Sequence, residues 1–214
     1  IFLTAHSWGA FIGLLAANRK PELFDAYIGI GQVVNSKESD LLSYNYALKI
    51  AQEKKDIKSL KKLEELDPER YNLDADQLTT QRKVLGRVGG RLFKKSISRW
   101  IVQCPLFSPE YSYRDLWYMR KTTKQVVQQL YPQMSEHNLF NEVTRVPIPL
   151  FILGGWHDYQ VGTIIAERFF NEVFSPLKHF YGFDRSGHFP HYEETEKYQQ
   201  VMQDIKNKVQ GFYK

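Results

Sequence analysis

Three short apolar runs set the strongest limit on what this chain can become. They are Ile1–Ala5, Ala26-Tyr27-Ile28-Gly29-Ile30-Gly31, and the stretch from Pro147 to Gly155 centred on Leu150-Phe151-Ile152-Leu153. Apolar runs this short, without polar alternation and closed by small residues, read as strands buried on both faces. Such strands pair in parallel and need helices above and below the sheet. The intervening sequence supplies them. Trp8 to Asn18 is rich in Ala, Leu and Gly and reads as a buried helix closed by Pro21. Gly162 to Val173 reads as a second helix and Lys178 to Phe183 as a fourth strand. Glu193 to Phe212 reads as a closing amphipathic helix with Tyr198, Val201, Ile205 and Val209 on one face.

Between these two α/β pieces the pattern changes. Leu41, Tyr44, Leu48 and Ala51 recur at helical spacing. A lysine-rich stretch follows (Lys49, Lys54, Lys55, Lys58, Lys61, Lys62), with Leu60, Leu63 and Leu66 on the opposite face. Pro68, Gly86, Gly89-Gly90, Pro105 and Pro109 punctuate the rest. The expected organisation is an α/β core over residues 1–33, a mainly helical insertion over 34–144, and the C-terminal part of the core over 145–214. The aromatic residues Trp100, Tyr111, Tyr113, Trp117 and Tyr118 fall in the insertion and are expected to form its core rather than a substrate-binding wall.

Composition narrows the function classes. The chain has 214 residues, 43% hydrophobic and 25% charged, which excludes disorder, collagen and coiled coil. No apolar run approaches the ~20 residues of a membrane span, so no membrane is expected. The single cysteine, Cys104, forbids an internal disulfide and fits a reducing, cytoplasmic setting. The 29 Lys+Arg against 24 Asp+Glu leave +5, a mild excess. It reads as a solvated basic helix face, and no nucleic acid is expected as a partner. The chain opens at Ile1, within what reads as a strand, so it is expected to be the later portion of a longer protein or one chain of a cut one.

The chemistry gathers at strand ends. Ala5-His6-Ser7-Trp8-Gly9 joins a strand to a helix and matches a nucleophile elbow, Gly-x-Ser-x-Gly, with Ala5 at the first glycine. A turn this sharp strains the nucleophile backbone and admits only small neighbours. It aims the helix N-terminus and the Trp8 backbone N–H at an oxyanion formed when Ser7 attacks a carbonyl. The plain alternative is that Ser7 only caps the helix through its hydroxyl.

Six histidines could serve as base: His6, His137, His157, His179, His188 and His191. His188 follows the last strand in a glycine-containing loop, at the sheet edge where catalytic groups of parallel sheets collect. Asp158, just past the strand Leu150–Leu153, is the candidate to orient the imidazole, with Asp184 in the His188 loop as competitor. The order Ser7, Asp158, His188 is that of one class of serine hydrolase and differs from the chymotrypsin and subtilisin orders. No metal is expected. His188 and His191 flank Pro190, and no second cysteine or carboxylate cluster completes a four-ligand set. No phosphate loop appears.

These residues resemble the α/β-hydrolase-fold serine hydrolases, near the proline iminopeptidase-like branch. The resemblance rests on Ala5-His-Ser-Trp-Gly-Ala10, Gly29-Ile-Gly-Gln32, Gly89-Gly90, Ser108-Pro-Glu-Tyr111, Leu153-Gly-Gly-Trp-His-Asp158 and Ser186-Gly-His-Phe-Pro190. It covers nearly the whole chain. It implies Ser7 as nucleophile, Asp158 as acid, His188 as base, no cofactor, and a helical cap over the site. The implied activity is cleavage of an ester or amide in a small molecule or short peptide, including aminopeptidase activity of the proline iminopeptidase type. The rival expectation is a non-catalytic α/β-hydrolase-like binding protein or an inactive fragment. Family members also carry strands before the elbow and a His-Gly-type loop that supplies a second oxyanion N–H. Nothing here matches that loop, so the chain by itself is expected to be unstable or poorly active unless another chain supplies the missing N-terminal portion.

Overall fold

The computed structural model describes residues 1–66, 73–94 and 106–214. Pro68, Trp100, Cys104 and Pro105 lie outside the described residues. Among the described residues, four strands form one sheet in the order β1-β2-β3-β4: β1 Phe2–His6, β2 Ala26–Ile30, β3 Leu150–Gly155 and β4 Lys178–Phe183. All pairs are parallel, with Ala5 beside Gly29, Ile30 beside Leu153, and Gly155 beside Phe183. The continuous apolar runs have their physical cause here. Every residue of β2 and β3 is buried, because helices cover both faces.

The helices are α1 Trp8–Arg19, α2 Ser36–Glu53, α3 Ile57–Glu64, α4 Ala75–Val88, α5 Tyr113–Glu136, α6 Leu139–Glu142, α7 Thr163–Glu172, α8 Pro190–Glu193 and α9 Thr195–Phe212. Side chains alternate across the sheet. Leu150 and Ile152 pack with Phe11 and Leu14 of α1 and with Ile165 and Phe169 of α7. Phe151 and Leu153 pack on the other face with Val201, Ile205 and Val209 of α9. Each fully buried aliphatic or aromatic side chain contributes roughly 1.5–3 kcal/mol. A third cluster joins α2, α3 and α4 through Ala47, Ala51, Leu63 and Leu85.

Local chemistry sets several helix ends. Asn35 caps α2, its side chain accepting from the Glu38 N–H. Asp74 and Gln77 form a reciprocal capping box at the start of α4, and Gly89, in the left-handed region at φ 97°, ends it. The lysines from Lys49 to Lys62 are exposed. Among the described residues, no helix is long and apolar enough to cross a membrane.

Three details depart from the sequence expectations. The buried stripe of α2 is Ser39, Ser43, Ala47 and Ala51 rather than Leu41, Tyr44 and Leu48. Ser39 Oγ donates to Val161 O (2.7 Å) and Ser43 Oγ donates to Tyr159 O, so this face seats on backbone carbonyls. The aromatic residues expected to form the core of the insertion are at its surface: Tyr111, just before α5, and Tyr113, Trp117 and Tyr118, in its first turns, are all exposed. The closing helix is broken at Glu194, whose carboxylate accepts from Arg185 N–H (2.8 Å) and Ser186 Oγ (2.7 Å) instead of continuing one helical face.

Candidate active site

Ser7 sits between β1 and α1 with φ 57° and ψ −120°, a conformation that L-residues avoid. The strain is held by its neighbours. Ser7 N–H donates to Ile30 O (3.0 Å), and Ser7 O accepts from Ala10 N–H (2.9 Å) and Phe11 N–H (3.2 Å). Ser7 occupies the N-cap position of α1, yet its hydroxyl makes no capping bond. It lies 2.8 Å from His188 Nε2 instead, to which it can donate.

His188 comes from the loop after β4. Its Nδ1 lies 2.7 Å from Asp158 Oδ2, and both side chains are buried. The other carboxylate oxygen of Asp158 accepts from Gln160 N–H (2.8 Å) and Val161 N–H (3.1 Å). Burial works to raise the Asp158 carboxyl, but the imidazole and the two backbone N–H groups override it and hold the group below its ordinary range. Asp158 therefore stays ionised, and His188 Nδ1–H donates to it. Asp184, the competitor, is exposed and pairs with Lys197 at 3.3 Å.

The His188 loop is braced from two sides. His188 N–H donates to Arg91 O (2.8 Å), from the segment after α4. From α8, Glu193 accepts from Gly187 N–H (2.8 Å) and from Phe93 N–H (2.7 Å). Gly31 stands at φ 53°, where an added Cβ would press on the His188 ring, so glycine serves both the backbone and the imidazole. Sequence reasoning missed these groups because they act through backbone contacts between distant segments.

The remaining histidines are elsewhere engaged. His6 Nε2–H donates to His188 O at 2.8 Å, and the two rings lie 4.7 Å apart. Burial first, then the neighbouring imidazole of His188, push its pKa down to about 4. His191 packs 5.0 Å from His6, and burial also lowers its pKa. His137 pairs with Glu142, His157 lies 3.1 Å from Asp184 O, and His179 lies against Tyr181. Among the described residues, no cluster of three His, Cys, Asp or Glu is placed to hold a metal ion.

Beside Ser7 lies a cavity of about 400 Å³, walled by Trp8, Val33, Leu78, Val127, Met134 and Val161, with Arg82 and Ser36 among its polar lining. A pocket of this size and apolar character suits a small ligand. The Trp8 N–H belongs to the first turn of α1, where no intrahelical acceptor exists. It is thus available to an oxyanion on a carbonyl held at Ser7.

The four-stranded parallel sheet, the strained serine at the end of β1 and the helices on both faces are those of the α/β-hydrolase fold, and this chain has that fold. Solved structures with this fold match it almost end to end. VinJ matches at TM-score 0.64 and 14% identity, over 97% of this chain and 66% of that one. The proline iminopeptidase of Mycobacterium smegmatis matches at TM-score 0.62 and 11% identity, over 100% and 67%. An α/β fold family hydrolase from Bacillus anthracis str. Sterne matches at TM-score 0.55 and 20% identity, over 95% and 66%. Among curated proteins, the chain is 26% identical over 204 residues to the probable aminopeptidase YbaC of Bacillus subtilis (strain 168). That match covers 94% of this chain and 64% of the relative, so the chain spans under two thirds of the relative's length. No family model matches the chain.

Proposed function

We propose that this chain carries the catalytic centre of a serine hydrolase acting on an ester or amide of a small molecule or short peptide. The supporting observation is the unbroken line from Ser7 Oγ to His188 Nε2 (2.8 Å) and from His188 Nδ1 to Asp158 Oδ2 (2.7 Å). In this reading His188 takes the Ser7 proton as the serine oxygen bonds to the substrate carbonyl carbon. Asp158 holds the imidazole and stabilises its charged form. The Trp8 N–H donates to the tetrahedral oxyanion. His188 then gives its proton to the departing alcohol or amine, leaving an acyl group on Ser7. Water, deprotonated by the same imidazole, releases that group as an acid and restores Ser7. No cofactor takes part.

The likeness to a probable aminopeptidase supports a narrower form, release of an N-terminal residue, and the motif around Ser7 extends this reading to the proline iminopeptidase type. The helices between β2 and β3 would act as a cap that selects substrate. Among the described residues, β1 is one of the two edge strands of the sheet. We place there the addition of further strands, from a preceding segment or another chain, bringing a second oxyanion donor worth ~10²–10³ in kcat. The lone Cys104 supports a cytoplasmic setting. Turnover of a short-chain p-nitrophenyl ester that disappears in Ser7→Ala is the expected result. Ligand binding without turnover, in protein with its N-terminal partner segment supplied, would instead favour a non-catalytic binding protein.

A further inference from the structure

The loops that carry Asp158 and His188 meet close to their strands, where His157 N–H donates to Ser186 O (3.0 Å). A second tie lies further out, and a distant part of the chain supplies it: residues 90–93, just after α4. Gly90 O accepts from Tyr159 N–H (3.1 Å), the residue after Asp158, and Arg91 O accepts from His188 N–H (2.8 Å). Phe93 N–H donates to one oxygen of Glu193 (2.7 Å), whose other oxygen accepts from Gly187 N–H (2.8 Å). A Cβ at Gly187 would run into the Arg91 carbonyl, so the two segments touch backbone to backbone.

Arg91 bonds to both loops. Its carbonyl holds the His188 backbone, and its Nε donates to Gln160 Oε1 (2.5 Å). A guanidinium can only donate, which fixes the amide oxygen of Gln160 as the atom it meets. Gln160 in turn gives its own N–H to Asp158 Oδ1 (2.8 Å). One residue thus links the backbone of the base to the residue that clasps the acid. Burial and the nearby Arg82 lower the Arg91 guanidinium to about 10, and the charge of Asp158 works against them.

We propose that Arg91 is a positioning residue of the triad, tying the Asp158 loop to the His188 loop so that the segment between α4 and α5 sets the geometry of acid and base. The inference rests on the serine hydrolase reading. Arg91 is not among the described residues that line the cavity, so it acts through Asp158 and His188 rather than on substrate. With the tie near the strands alone, each loop could turn about its strand end. The second tie removes that freedom, and a misplacement of about 1 Å can cost about 10²-fold in rate.

The test uses the full chain with any N-terminal partner segment supplied. Arg91→Leu removes the side-chain bond and keeps the backbone carbonyl, whereas Arg91→Lys keeps a donor of similar reach. On a short-chain p-nitrophenyl ester, Arg91→Leu is expected to lower kcat about ten- to a hundredfold with KM little changed, and Arg91→Lys to recover most of the loss. Nitrogen-15 histidine spectra should show His188 as a single Nδ1–H tautomer in the unaltered chain and as a mixture in Arg91→Leu. If circular dichroism shows that Arg91→Leu does not fold, Gln160→Ala cuts the same bond from its other end and should lower kcat by a similar factor. An unchanged kcat in the variant that folds, a loss confined to KM, a loss that Arg91→Lys does not relieve, or an unaltered tautomer would overturn the proposal. Absence of both turnover and fluorophosphonate labelling of Ser7 in the unaltered chain would instead strike the hydrolase reading, and Arg91 would then be judged on the His188 tautomer alone.

Discussion

At the ends of β1, β3 and β4, Asp158 and His188 are buried, and both carboxylate oxygens and both ring nitrogens have partners. Along α5, which reaches the far side of the same cavity, Trp117, Val126 and Leu130 are 63%, 43% and 44% exposed. The difference lies in what holds each region. The floor is fixed by the Arg91 carbonyl, which accepts from His188 N–H, and by the Glu193 and Glu194 carboxylates, which accept from the loop before it. The wall carries no such set of bonds, and its side of the cavity is built mainly from apolar side chains such as Val126, Val127 and Met134.

Substitutions should separate the two regions. The largest effect is expected from Asp158→Asn, which keeps the shape but reverses the hydrogen-bond demand on His188 Nδ1. Steady-state ester hydrolysis should fall about 10⁴-fold in kcat. A loss below tenfold would mean that the buried carboxylate does not orient the base.

The next effect is on acid stability. His6 has its folded pKa lowered to about 4, so below its ordinary 6.5 the unfolded chain takes up a proton that the folded chain refuses. Stability is thus expected to drop as pH falls from 6.5 towards 4, by about 2–3 kcal/mol through this group. Urea titrations at pH 7.5 and 4.5 should show a smaller gap between the two conditions in His6→Asn. An unchanged gap would remove His6 from the acid response.

Gly155→Ala comes third. A Cβ there would run into the backbone carbonyls of Ser186 and Gly187, which cannot swing aside like a side chain. Overpacking of about 1–3 kcal/mol is expected, with loss of activity because the displaced loop carries His188. Trp117→Ser, near the exposed start of α5, should shift stability by less than about 0.5 kcal/mol in the same titration. A large loss there would show that the wall is as tightly built as the floor.

Much of the floor could be read in the chain. Buried parallel strands show as unbroken apolar runs, and the small residues around Ser7 mark the one turn that brings a strand directly into a helix. Glycine-rich ends after β3 and before His188 marked where the other two groups would emerge. The wall was harder to read. Burial of Ser39 and Ser43 depends on carbonyls of Val161 and Tyr159, more than a hundred residues away, and no local periodicity records it. The exposed Trp117 and Tyr118 carry the same hydrophobic signal as core residues, because side-chain type alone does not say which face finds a partner. Glu193 and Glu194 look like ordinary helix-start acids, yet they brace the His188 loop through bonds to Gly187 and Ser186.

The most direct measurement is the site of covalent modification. The chain, with any N-terminal partner segment supplied, would be treated with a fluorophosphonate, digested and mapped by mass spectrometry. One adduct on Ser7 is expected, slowed at least a hundredfold by His188→Ala, as for a nucleophile deprived of its base. An adduct on another serine, or labelling of Ser7 at the same rate without the imidazole, would contradict the assignment of Ser7 and His188 as nucleophile and base.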